Sequence, residues 1–152
     1  MPLTLSDLPT PRPWGFTLLE VMVAMAISAV LATAALPSFQ RAIHKARRAD
    51  ALVALVRVQT AQARYRANHR SYGSLTDIQL SNTSADGHYK LALEQPAATG
   101  YVVLAQATGA QAADTECRHL RLTVDGTQLL MASGSDAGTA NPPQLNRSCW
   151  AR

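Results

Sequence analysis

The hydrophobic pattern divides the chain into stretches of different period. Residues 1–15 are polar and rich in proline, with Pro2, Pro9, Pro11 and Pro13. Proline at this density blocks a helix and offers a core nothing. Phe16 to Leu36 is an apolar run whose one charge is Glu20. About 21 residues at ~1.5 Å rise reach about 32 Å as a helix, enough to cross a hydrocarbon layer of about 30 Å. Beyond Pro37 the pattern becomes periodic. Ala46, Ala49, Val53, Val56, Thr60, Ala63 and Ala67 recur at spacings of three and four, flanked by Leu52 and Leu55. That spacing predicts an amphipathic helix with this stripe turned toward a core. No glycine or proline interrupts from Ser38 to Tyr72. One helix is therefore expected from about Phe16 to about Ala67, with a kink at Pro37, which removes the backbone bond toward Thr33.

From Asn68 the composition shifts to loop residues, and then to a period of two. Tyr89, Leu91 and Leu93 alternate with Lys90, Ala92 and Glu94, and Tyr101 to Leu104 forms a second run. Leu120, Leu122 and Val124 alternate with Arg121 and Thr123, and Asp125-Gly126 then leads into Gln128 to Met131. Asp-Gly between two such runs signals a hairpin. Tyr65 and Tyr72 fall where the helix end would pack on these strands. A long N-terminal helix laid on a small antiparallel sheet of three to four strands is an α+β fold. The tail from Ser133 to Asn146, with Gly134, Gly138, Pro142 and Pro143, has no period and would fray unless tied down. The expected organisation is a leader over 1–15, a transmembrane helix over 16–39, its amphipathic continuation over 40–69 and a globular β domain over 70–152.

Composition changes this picture in two places. The chain has 152 residues, 47% of them hydrophobic, but the N-terminal run takes a large share. The remaining core is small and would gain from a staple. Cys117 and Cys149 form no CxxC, and an even cysteine count beside an export segment favours a disulfide in an oxidising compartment. A pair of buried free thiols is the other reading. The net charge of +4 suits nucleic acid or anionic lipid without choosing between them.

Three readings of the N-terminus compete: a secretory signal cut at Ala32-Thr33-Ala34, a plain anchor, or a precursor cut after Gly15. Glu20 separates them. A carboxylate at a bilayer centre costs about 3 kcal/mol, so such residues usually have a task. A position in the first helical turns, near the headgroups, lowers that cost, but does not explain a charge one turn past a Gly-Phe junction. Gly15-Phe16-Thr17-Leu18-Leu19-Glu20-Val21 resembles the processing and methylation signature of type IV pilins and type II secretion pseudopilins. The resemblance implies cleavage after Gly15 by a membrane-embedded prepilin peptidase and N-methylation of Phe16. It also implies that Glu20 serves filament assembly, and it extends to the long helix through Pro37. Asp114-x-x-Cys117, Leu122-x-x-x-Gly126 and the final Cys149-Trp150 resemble PilE-type minor pilins, in which a disulfide bounds an exposed C-terminal loop.

The family implies inner-membrane residence with the C-terminal domain in the periplasm, transfer into a surface filament by inner-membrane machinery, and other pilin subunits as partners. Charge alone points the other way. Arg41, His44, Lys45, Arg47 and Arg48 follow the span, whereas the leader has only Arg12, and a positive-inside count would keep the C-terminal side in the cytoplasm. The cysteine pair and the precursor signature require the opposite orientation. Arg57, Arg64 and Arg66 form a candidate patch for an anionic partner, since phosphate contacts need only cations. No aromatic stacking pattern or nucleic-acid module accompanies them, so a solvated helix face is the simpler account. Cys117, His119 and Cys149 fall short of a closed zinc site, and no phosphate loop or nucleophile motif is present. No catalytic residue, cofactor or metal is expected. The leading function is that of a minor pilin supporting pilus assembly, twitching motility and adhesion. A DNA-binding minor pilin for natural transformation and a secretion pseudopilin are the alternatives.

Overall fold

The computed structural model describes residues 15–150, so the expected leader lies outside the described residues except for Gly15. The chain divides into two units, Met1–Ser38 and Phe39–Arg152, and helix α1 (Leu18–Asn68) contributes to both. In the first unit Thr17 starts the helix. Its hydroxyl accepts the Glu20 amide at 3.2 Å and its carbonyl accepts the Val21 amide. Thr-x-x-Glu is the sequence form of a capping box, and here the threonine half is formed. An 18-residue window of α1 has a mean hydropathy of 2.1 and none of it is buried. The hydroxyls of Ser28, Thr33 and Ser38 fold back onto the carbonyls of Ala24, Val30 and Ala35. An apolar helix can thus carry these polar groups without exposing an unpaired donor.

In the second unit, α1 packs against a sheet of β1 (Tyr89–Glu94), β2 (Gly100–Ala107), β3 (His119–Asp125) and β4 (Gln128–Gly134). The order is β1-β2-β3-β4, antiparallel throughout. The register stacks apolar rows across the strands: Leu91–Ala105–Leu120 is one and Leu93–Val103–Leu122–Met131 the next. These rows face α1 residues Ala51, Ala54, Leu55 and Val58 in one core. The Asp-Gly signal marks a two-residue turn, with Gly126 at φ +56°, a conformation that costs glycine little. Beside this turn, at the start of β2 where Gly100 pairs with Asp125, a Cβ on Gly100 would collide with the carbonyl of Val124.

The strands match the period-two runs, but the helix stripe does not match its expectation. Ala46, Ala49, Val53, Val56, Thr60, Ala63 and Ala67 are all exposed, Val53 at 48% and Val56 at 59%. The buried positions are Asp50, Ala51, Ala54, Leu55, Val58 and Gln62. Both sides of this helix are apolar, and the side that meets the sheet includes two polar residues, so periodicity selected the wrong one. Those polar residues act as clasps. Asp50 accepts the Ser84 hydroxyl at 2.6 Å and the amides of Asp86 and His88. Gln62 bonds both the carbonyl and the amide of Gly73, at 2.6 and 3.0 Å. Together they hold the loop between α1 and β1 with its polar groups satisfied.

The tail is also more ordered than its composition suggested. Pro143–Cys149 forms a short helix, α2, with Pro143 at its first position; its missing N–H costs nothing there. Asn146 and Asn141 reach back to Ser133, and Cys117 and Cys149 form a disulfide. Replacing both cysteines with serine is expected to cost about 3–4 kcal/mol of stability, seen as a lower urea midpoint for the mature chain.

Candidate functional site

Gly15 and Phe16 precede α1, and the Phe16 side chain is 80% exposed. Glu20 is exposed too, and its carboxylate has no hydrogen-bond partner among the described residues. It lines a shallow recess of about 510 Å³ with Phe16, Val21, Ala24, Met25 and Ser28. An anion in the first turn gains from the helix dipole. Closure of this apolar surface by a neighbour would strand the charge unless that neighbour brought a cation.

The three arginines proposed as one patch do not stay together. Arg57 lines a groove of about 310 Å³ beside Ala54, Ser81, Thr83 and Leu91. Arg64 lies two turns on, in a recess with Asn68, His69 and Asp77, and seven residues of spacing puts the two on one helix face. Arg66 is engaged elsewhere. Its guanidinium donates to the His69 carbonyl at 2.7 Å and sits 5.9 Å from the centre of the Tyr72 ring. In the last turn of α1 a cation is drawn to the free carbonyls. Tyr72 in turn meets Tyr101 edge-on at 4.8 Å, and Tyr65 stacks on His69. Tyr65 and Tyr72 are half-buried against the core, as a packing role requires. Burial pushes the phenols of Tyr89 and Tyr101 up to about 12. Bonds from the Ser74 hydroxyl and amide hold the Asp77 carboxyl below its usual range.

A second basic cluster opens immediately after the apolar span. Arg41, His44, Lys45 and Arg48 form one wall of a recess of about 860 Å³; Ala113 to Glu116 and Ser148 form the other. Two of the four are already committed. Arg48 grips Asp114 with Nε at 2.6 Å and Nη2 at 2.8 Å, and its Nη1 donates to the Ser148 carbonyl. His44 Nδ1 donates to Gln111 Oε1 at 3.1 Å. Gln111 is fully buried, and its amide nitrogen lies within bonding distance of the His44 carbonyl, the Tyr89 hydroxyl and Asp114. Asp114 had drawn attention in the sequence only through its spacing from Cys117; Gln111 carried no sequence signal, and the run of cations over 41–48 was visible without any sign of which of them would be paired. The zinc alternative at Cys117, His119 and Cys149 loses its thiolates to the disulfide.

An apolar helix with a Gly-Phe junction and a carboxylate one turn in, followed by a disulfide-stapled four-stranded sheet, defines a prepilin-type subunit. Residues 15–36 match the prokaryotic N-terminal methylation motif. Residues 37–121 match the family described as type IV minor pilin ComP, DNA uptake sequence receptor. That match covers more than half of the chain, which belongs to this family of type IV minor pilins. No curated protein matches the chain. The minor-pilin reading of the sequence is borne out, and the family fits the exposed apolar helix: such subunits are held in a membrane before assembly and then pack against other pilins.

Proposed function

We propose that this minor pilin is a DNA-capturing subunit of a type IV pilus. The observation that carries the reading is the match over residues 37–121 to a family described as a DNA uptake sequence receptor. The positive net charge and the shared face of Arg57 and Arg64 support it, because phosphate attraction is the sequence-independent part of any DNA affinity. The subunit takes the alternative role weighed for the sequence, with assembly into the fibre as its precondition. Twitching and adhesion are then properties of the fibre that carries it.

The path to that fibre starts at the N-terminus. A prepilin peptidase cuts after Gly15 and Phe16 is N-methylated, so the chain is the substrate of a processing enzyme rather than a catalyst. The C-terminal domain lies in the periplasm, where the disulfide forms. Inner-membrane machinery then moves the subunit into the filament, and Pro37 provides the place where α1 yields. Intact mass of the membrane-extracted protein checks the first step. The expected species starts at N-methyl-Phe16 and lacks two hydrogens for the cystine. A terminus at Ala35 would mark an ordinary secreted protein and end the filament reading.

DNA capture is tested by mobility shift with the mature chain in mild detergent. Affinity for duplex DNA is expected to fall steeply with salt. The Arg57→Glu/Arg64→Glu variant should bind at least tenfold more weakly, with a log–log salt slope smaller by about 2, as expected for two lost phosphate contacts. A salt-independent affinity, or a variant that binds like the wild type, removes DNA from the account while leaving the pilin assignment in place.

A further inference from the structure

The recess that follows the apolar span carries an excess of cationic side chains. Residues 16–39 at ~1.5 Å each extend about 36 Å, against a hydrocarbon core of about 30 Å. With Phe16 at one interface, Arg41 therefore emerges in the headgroup layer of the other, only two residues beyond Phe39. Arg41 and Lys45 are one helical turn apart and exposed, and neither has a carboxylate within ion-pair distance among the described residues. Arg48, on the same wall, is neutralised by Asp114, and His44 is tied to Gln111. The opposite wall presents one free carboxylate, that of Glu116, whose residue is exposed and whose carboxylate oxygens accept no hydrogen bond among the described residues. Two free cations facing one free carboxylate leave a net charge of +1.

We propose that this recess binds the headgroup of an anionic glycerophospholipid, of the phosphatidylglycerol type, while the subunit waits in the membrane. The phosphate sits on Arg41 and Lys45, and the glycerol hydroxyls donate to Glu116. The single negative charge of that headgroup balances the recess. A zwitterionic choline headgroup brings no net charge and no donor for Glu116. DNA is the poorer occupant, because a site two residues past the hydrocarbon boundary is reached by lipid phosphates before any phosphate in solution. The lipid occupies the recess while the span is in the bilayer and is released when the subunit leaves. The inference rests on the membrane stage of the pilin and is independent of DNA capture.

The test is native mass spectrometry of the full mature chain, released from detergent with equimolar phosphatidylglycerol and phosphatidylcholine. The wild type should retain phosphatidylglycerol preferentially. Arg41→Gln/Lys45→Gln should lower that preference about thirtyfold, the effect of removing two cations from an anionic surface. Neither side chain makes a hydrogen bond among the described residues, and an unchanged cystine mass and circular dichroism confirm that the variant folds. The control is Arg57→Gln/Arg64→Gln, which should keep the lipid preference. Equal retention of the two lipids by the wild type overturns the proposal, as does an equal loss in both variants. A drop in DNA affinity in Arg41→Gln/Lys45→Gln with lipid preference intact would make the recess a nucleic-acid contact instead, and also overturns it.

Discussion

Asp114→Ala is expected to cost about 3–5 kcal/mol, the range for removing one partner of a buried ion pair. Arg48 and Asp114 are only 13% and 7% exposed and are joined by two hydrogen bonds. The truncation leaves the guanidinium in place without its counter-charge. It also takes an acceptor from Gln111, which has no access to water and links Tyr89 to the His44 carbonyl. The damage therefore spreads to three contacts: α1 to the turns at Gly109–Cys117, those turns to β1, and α1 to Ser148 at the end of α2. Urea unfolding of the oxidised mature chain reads the effect as a lower midpoint with an unchanged slope. Replacing the pair together, as Arg48→Met/Asp114→Leu, should recover part of the loss because no charge is left uncompensated. A cost under about 1 kcal/mol for Asp114→Ala would mean the pair behaves as a surface salt bridge.

Glu20→Gln is expected to leave cleavage and membrane insertion intact and to reduce incorporation into sheared filaments by at least tenfold. The carboxylate is exposed at the start of an apolar helix and has no hydrogen-bond partner among the described residues. Packing against a neighbouring helix would remove water from it, and a buried charge without a partner is costly. The free amine that the proposed cleavage after Gly15 would create at Phe16 of an adjacent subunit can supply the cation, so one axial stagger would be favoured and the others penalised. Glutamine accepts burial in several staggers and pairs strongly in none. The comparison needed is the amount of variant in the sheared fraction against the amount in the membrane fraction. Equal ratios for variant and wild type would show that Glu20 serves only the start of the helix, beside the Thr17 cap.

Other features follow from which groups have alternatives. The disulfide could be expected because a short chain beside an export segment has only two cysteines to pair. The patch of three arginines could not be judged from spacing, because Arg66 lies in the last turn of α1 and is claimed by local carbonyls and the Tyr72 ring. The helix stripe failed for a related reason: a helix apolar on both sides gives the same period whichever side meets the sheet. Asp50 and Gln62 look like solvent positions in sequence, and only their partners on the α1–β1 loop explain their burial.

Whatever depends on neighbours along the chain was set by the sequence itself. It determined the Gly15–Phe16 junction with Glu20 one turn on, the length of the apolar span, the four strands and the Gly126 turn. Each is local: a cleavage signature, a hydropathy window, a period of two and a glycine at positive φ are fixed within a few residues. The tertiary structure decided which face of α1 is core, that Arg48 is neutralised while Arg41 and Lys45 meet no carboxylate among the described residues, and that Gln111 links the helix to β1. Those outcomes join residues far apart in the chain, such as Arg48 with Asp114, His44 with Gln111 and Gln111 with Tyr89, and no local pattern encodes which distant group a side chain will meet.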